Sequence, residues 1–300
     1  MKIFLTILGF CVTVLSASGQ ALVDSTELAK NAAYFKKLEE GFLYNIQWAY
    51  ELNLLEQVSG FANVKLDRAK VAEKGNIYSH AIHDSSGYKV LFWYQKTLPK
   101  ICAVADVTFD EVNMDAIITY MDREATSQEA SICKRILTTL SAISRDSSYT
   151  LLPATCLQFI PLPLAEGGQV IVYQRSLDLN TCIFGNDYIF TFDAADSLIG
   201  TTKVHDMPTK SCVDYAAGHV ADSITLHHWH DFKSLKDFPI TDMASVFFYA
   251  GMHHIKKFLL IGNEFIFKID LGTTEIWYLV GDEFKKALLQ LPQRPTGWTL

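Results

Sequence analysis

A chain of 300 residues with 49% hydrophobic and 20% charged residues has the length for one large or two modest cores, and its composition excludes a disordered protein. The formal charge of -7, with no Lys/Arg cluster, argues against a nucleic-acid or anionic-membrane partner. No Pro-rich, Ser-rich or repeated segment marks a linker.

Lys2 is followed by an apolar run from Ile3 to Leu15 and then by Ser16-Ala17-Ser18-Gly19-Gln20-Ala21, the layout of a cleavable secretory signal. Residues 1–19 are expected to be that signal, with cleavage after Gly19 and Ala17 at the minus-three position. The run falls short of the roughly 20 apolar residues that span a bilayer. Phe10 before Cys11 does not fit a lipoprotein anchor. Loss of Lys2 with the signal takes the formal charge from -7 to -8. The expected product is exported and soluble, periplasmic or secreted, without a membrane span.

From Asp24 to about Val58, Leu28, Phe35, Leu38, Phe42, Ile46, Ala49 and Leu52 recur at helical spacing, which predicts one apolar helical face. Asp24 and Glu27 suit its N-terminal cap, and Gly41 is a point at which it divides. Ile77–His83 and Tyr88–Tyr94 flank Asp84-Ser85-Ser86-Gly87 and predict a hairpin; Ile101–Phe109 predicts another strand. Helices are expected next, one of them opened by Thr126 with Glu129 three residues on. Residues 20–148 therefore read as a mixed α/β region.

After Arg145 the texture changes to short strands: Cys156–Ile160, Gln169–Gln174, Tyr188–Asp193 and Leu198–Val204. A His-bearing strand over Ile224–His230, a helix from Asp242 to about Met252, and a hairpin of Phe258–Ile261 and Glu264–Ile269 about Gly262-Asn263 follow. Ile276–Val280 predicts a last strand, and Asp282–Leu291 a helix stopped by Pro292. The expected class is α+β, with residues 149–300 as one α+β domain. Cys102, Cys133, Cys156, Cys182 and Cys212 remain after processing; the odd count leaves at least one thiol unpaired, and no Cys-x-x-Cys spacing suggests a zinc knuckle or redox centre.

Alternation along a strand puts His228 and His230 on one face, where two imidazoles can share a zinc ion with Asp242 from the following helix. Three such ligands leave a position for water, whose pKa a catalytic zinc lowers to roughly 7. The same residues also admit a purely structural account: Asp242 favours a helix N-terminus, Thr241 is a ready cap, and the histidines suit a half-buried strand. His253-His254 near the helix end suits its dipole.

His228-Trp229-His230, a loop, Asp242 at the head of an apolar helix and a Gly-Asn hairpin together resemble the JAB/MPN (JAMM) metallopeptidase-like domains. The resemblance runs from Glu166 to the C-terminus and implies an α+β domain with a mixed sheet. It further implies His228, His230 and Asp242 as zinc ligands, and Glu166, in Glu166-Gly167-Gly168, as the catalytic general base. Amide-bond hydrolysis is the implied activity. The chain departs from the family at three points: eleven residues separate His230 from Asp242 where the family has ten, Asp231 replaces a proline, and the family's serine position holds Phe238 or Pro239. The lost serine leaves a second expectation open, a non-catalytic cell-envelope binding or structural protein with a vestigial site. A small molecule, a peptide or an envelope component is then the partner. The runs Phe184–Asp193, Lys203-Val204-His205 and Ile240-Thr241-Asp242-Met243 also resemble a set of uncharacterised exported bacterial proteins. The chain has no Gly-x-Ser-x-Gly, phosphate-loop, Gly-x-Gly-x-x-Gly or His-Glu-x-x-His motif; Cys212 with His219 is the remaining nucleophile pair.

Overall fold

The computed structural model describes residues 48–49, 51–84, 87–97, 100–110, 115–164, 166–178, 181–205, 208–212, 224–229, 240–253, 255–262, 265–270 and 275–280. The expected signal, most of the first helix and the closing helix Asp282–Leu291 lie outside the described residues. Two compact units emerge: Ala49–Cys212, and a second to which the elements after Val213 belong. Among the described residues no helix is long and apolar enough to cross a membrane.

The first unit opens with helix α1 (51–65), which runs past the expected end at Val58. Its Leu52, Leu55, Val58 and Ala62 recur every three or four residues, and all four are buried. Strands β1 (Tyr78–Asp84), β2 (Gly87–Thr97), β3 (Lys100–Asp110) and β4 (Asp115–Glu124) then form an antiparallel meander in the order β1-β2-β3-β4. β4 replaces the helical segment expected before Thr126. Its Ile117, Ile118, Thr119 and Tyr120 are β-branched or aromatic, and pairing with β3 settles the choice toward strand.

Helix α2 (Ser127–Arg145) begins at Thr126, as expected. The Glu129 carboxylate accepts from the Thr126 amide at 2.7 Å while the Thr126 hydroxyl accepts from the Glu129 amide at 3.3 Å, a complete capping box. Arg123 clamps the same carboxylate through two bonds of 2.6 and 2.7 Å, which holds Glu129 down at a pKa of about 2.

A second meander follows: β5 (Thr155–Leu164), β6 (Gly167–Ser176), β8 (Tyr188–Phe192) and β9 (Leu198–Lys203), in the order β5-β6-β8-β9. β7 (Thr181–Phe184) leaves this run to pair with β10 (Thr209–Cys212) in a separate ribbon, neither strand having been expected. The unit is thus a helix followed by a four-stranded meander, twice over.

α2 serves both sheets. Cys133 and Ile136 pack with Leu91, Trp93 and Ala103 of the first sheet; Ile143, about two turns beyond Ile136, packs with Val170, Val172 and Phe190 of the second. Arg145, after which the sequence texture changes, therefore lies inside one compact unit. A buried isoleucine such as Ile136 contributes enough that truncation to Ala costs about 2–5 kcal/mol. Burial also pushes the Cys133 thiol up, and Cys102, Cys133 and Cys156 are free thiols.

A buried ion pair ties α1 to the second sheet. Arg175 on β6 donates through Nε and Nη2 to the two carboxylate oxygens of Glu56, and the Tyr173 hydroxyl donates to Glu56 Oε2 at 2.9 Å. The side chains of Arg175 and Glu56 are 3% and 4% exposed. Two charges this far from water are tolerable because each satisfies the other.

The second unit contains β11 (Ile224–Trp229), helix α3 (Ile240–His253), β12 (Ile255–Ile261), β13 (Phe265–Asp270) and β14 (Glu275–Val280), with its sheet ordered β11-β12-β13-β14. β11 pairs parallel with β12, and the remaining pairs are antiparallel. Parallel neighbours need a crossover of a dozen or more residues, and α3 supplies it as a βαβ unit. The architecture is α+β.

Candidate functional site

In the second unit, His228 lies on β11 opposite Leu260 of β12, and β11 is the sheet's edge. The chain leaves the C-terminal end of β11 and re-enters at the head of α3, so the βαβ connection carries it from the His strand into the helix that bears Asp242. Ligands of α/β units gather at such strand ends. Asp242 is the third residue of α3 and is 0% exposed. The helix dipole favours a carboxylate there by about 0.3–1 kcal/mol, more when water is excluded. Thr241 is already within the helix, which corrects its reading as the N-cap. Met243, Ala244 and Val246, which follow it on α3, are also 0% exposed. His230 lies outside the described residues, as do His254 and His219.

The first unit contains a carboxylate–imidazole pair, Asp187 with His205, for which the sequence names no partner to the histidine. Asp187 Oδ2 lies 3.0 Å from His205 Nδ1, with side chains 4% and 9% exposed. The β8–β9 hairpin creates this meeting: Tyr188 pairs with Lys203, so the residues flanking that pair come together at the open end. The Val204 amide donates to the Asp187 carbonyl at 2.8 Å and fixes the approach. Before Asp187 the backbone turns through two left-handed residues, Gly185 (φ 81°) and Asn186 (φ 59°). Glycine takes that conformation freely and asparagine tolerates it. The Asn186 amide anchors the turn by donating to the Thr150 carbonyl at 2.7 Å. In the sequence, only the Gly185-Asn186 turn marks this place.

A carboxylate against one imidazole nitrogen settles the tautomer and the orientation of the ring. Asp187, His205 and Asp242 each offer one ligand atom of a kind that metal ions take.

Glu166 stands exposed in the short turn between β5 and β6. The glycines after it have packing reasons. Gly167 has φ 119°, and a Cβ there would fall 2.1 Å from the Phe192 carbonyl oxygen; a Cβ on Gly168 would meet Arg135 Nη1 at 1.9 Å. Arg135 bonds to the Gly167 carbonyl at 2.9 Å and to Asp196 at 2.5 Å, which fastens α2 to two turns of the second sheet.

No family model, curated protein or solved structure matches the chain.

Proposed function

We propose that this chain is an exported metal-binding protein that takes a borderline divalent ion such as zinc. One observation carries the reading: within the first unit the Asp187 carboxylate lies 3.0 Å from the His205 imidazole, with both side chains almost closed to water. The donor set suits the ion, because imidazole nitrogen and carboxylate oxygen are ligands of zinc and its first-row neighbours. Asp187 holds the His205 ring in the manner of the carboxylates behind metal-ligating histidines. Asp242 is shielded from water in the first turn of α3 and offers a carboxylate oxygen, a ligand type that such ions take.

The finer proposal names His228, His230 and Asp242 as ligands in the manner of the JAB/MPN domains. Zinc so held supplies an acidified water and a Lewis acid, the chemistry of amide hydrolysis. The exposed position of Glu166 favours metal binding without hydrolysis, since general bases work in clefts where water is controlled. The test is metal analysis of the untagged protein beside His205→Ala, His228→Ala and Asp242→Asn, followed by an amidase screen with Glu166→Gln as control. A wild-type protein that carries and takes up no divalent ion would end the proposal.

A further inference from the structure

The first unit holds a cleft of about 280 Å³ between α1, α2 and two strands, β1 and β5. Each strand is the edge of its own sheet, and an edge strand leaves alternate main-chain N–H and C=O groups unpaired on its outer side.

The register identifies those groups. β5 and β6 turn between Leu164 and Gly167, so Leu164 and the even-numbered residues before it exchange bonds with β6. The odd-numbered residues face outward. Pro161 and Pro163 fall on odd positions, where the ladder requires no N–H of them. The two prolines close the edge beyond residue 160, and the cleft is lined by residues 157–160, just short of them. Leu157 and Phe159 therefore turn their main-chain donors and acceptors away from β6, two residues apart, and have no ladder partner among the described residues. The same count from the turn between Asp84 and Gly87 turns Ser79 and Ala81 of β1 outward, and both line the cleft.

The remaining lining describes the occupant. Ile136 and Leu140 of α2 give an apolar wall. Among the described lining residues Glu56 is the one acidic or basic side chain, and Arg175 neutralises it. Ser59 and Asn63 add polar groups on α1, and the Asn63 amide holds the Ser79 hydroxyl at 2.9 Å. Open main-chain groups at a two-residue repeat beside an apolar, uncharged wall match an extended peptide.

We propose that this cleft binds the main chain of a short, extended, uncharged peptide segment, paired to the β5 edge at Leu157 and Phe159 with one apolar side chain against Ile136 and Leu140. The proposal does not rest on the metal ligands.

The test uses the full chain and the capped peptide acetyl-Ala-Val-Leu-Val-Ala-amide, with the same peptide N-methylated at alternate residues as the contrast. Calorimetry should give saturable binding that N-methylation weakens at least about tenfold, because a lost hydrogen bond of about 1.4 kcal/mol corresponds to that factor. Hydrogen exchange should slow over 155–160 when the peptide is present. Leu140→Trp, which fills the cleft, should also lose binding, and a circular dichroism spectrum shows whether it folds. Equal affinity for the N-methylated peptide would make this a cleft for apolar small molecules and overturn the proposal. No binding, or protection confined elsewhere, overturns it as well.

Discussion

Replacing Glu56 with Gln removes one charge from the buried pair and takes the Glu56 counter-charge from the Arg175 guanidinium, which is 3% exposed. The shape of the side chain and its contact with Tyr173 change little, so the effect reports the charge. Breaking one partner of a buried pair costs about 3–5 kcal/mol, whereas replacing both partners by apolar groups is often near neutral. Against a total stability of about 5–15 kcal/mol, that is a large fraction. At roughly 2–4 °C per kcal/mol for a unit of this size, Glu56→Gln should lower the melting temperature by about 10 °C. Urea titration followed by tryptophan fluorescence suits the measurement, since Trp93 is buried in the same unit. Glu56→Leu/Arg175→Leu should recover most of the loss. A Glu56→Gln variant within about 1 kcal/mol of wild type, or a double variant as unstable as the sum of its singles, would refute the reasoning.

The other predictions concern acid, and one turn. Glu129 has its pKa depressed on folding to about 2 by Arg123, so its stabilisation is present above the ordinary value near 4.5 and is lost as pH falls toward 2. With its side chain 20% exposed, Glu129→Gln should cost about 1–2 kcal/mol at pH 7 and little at pH 2, read from paired urea titrations. His80 accepts from the Trp93 indole at 3.0 Å, and burial pushes its pKa down to about 4. Its neutral form is the stable one, so wild type should lose stability as pH falls from 6.5 to 4, and His80→Phe should flatten that part of the profile. A wild-type curve level across that window would remove His80 as the cause. Gly167→Ala should destabilise by about 2 kcal/mol or more through its φ and the Phe192 carbonyl, while Glu166→Gln should stay within about 0.5 kcal/mol. The two melts together separate a packing role for this turn from any other.

Local chemistry was legible in the sequence. Thr126 and Glu129 announced a helix start because a capping box is built from neighbours, and the hairpins about residues 84–87 and 262–263 followed from turn residues between β-prone runs. The β4 strand was not legible, since its partner β3 decides its conformation. Nor could texture show that α2 joins both sheets: Cys133 and Ile143 belong to different cores on one amphipathic helix. The candidate site divides in the same way. Asp242 stood out as the head of an apolar helix. The partnership of Asp187 and His205, eighteen residues apart, depends on the β8–β9 register. A histidine just past a strand carries no sign of the carboxylate it will meet.

The claim that this protein holds a metal is tested most directly by elemental analysis of untagged protein, together with its melting temperature before and after chelation. The account predicts about one zinc-like ion per chain, a lower melting temperature once it is stripped, and loss of the ion in Asp242→Asn. A protein without metal that takes up no zinc on titration, and whose melting temperature ignores the chelator, contradicts it.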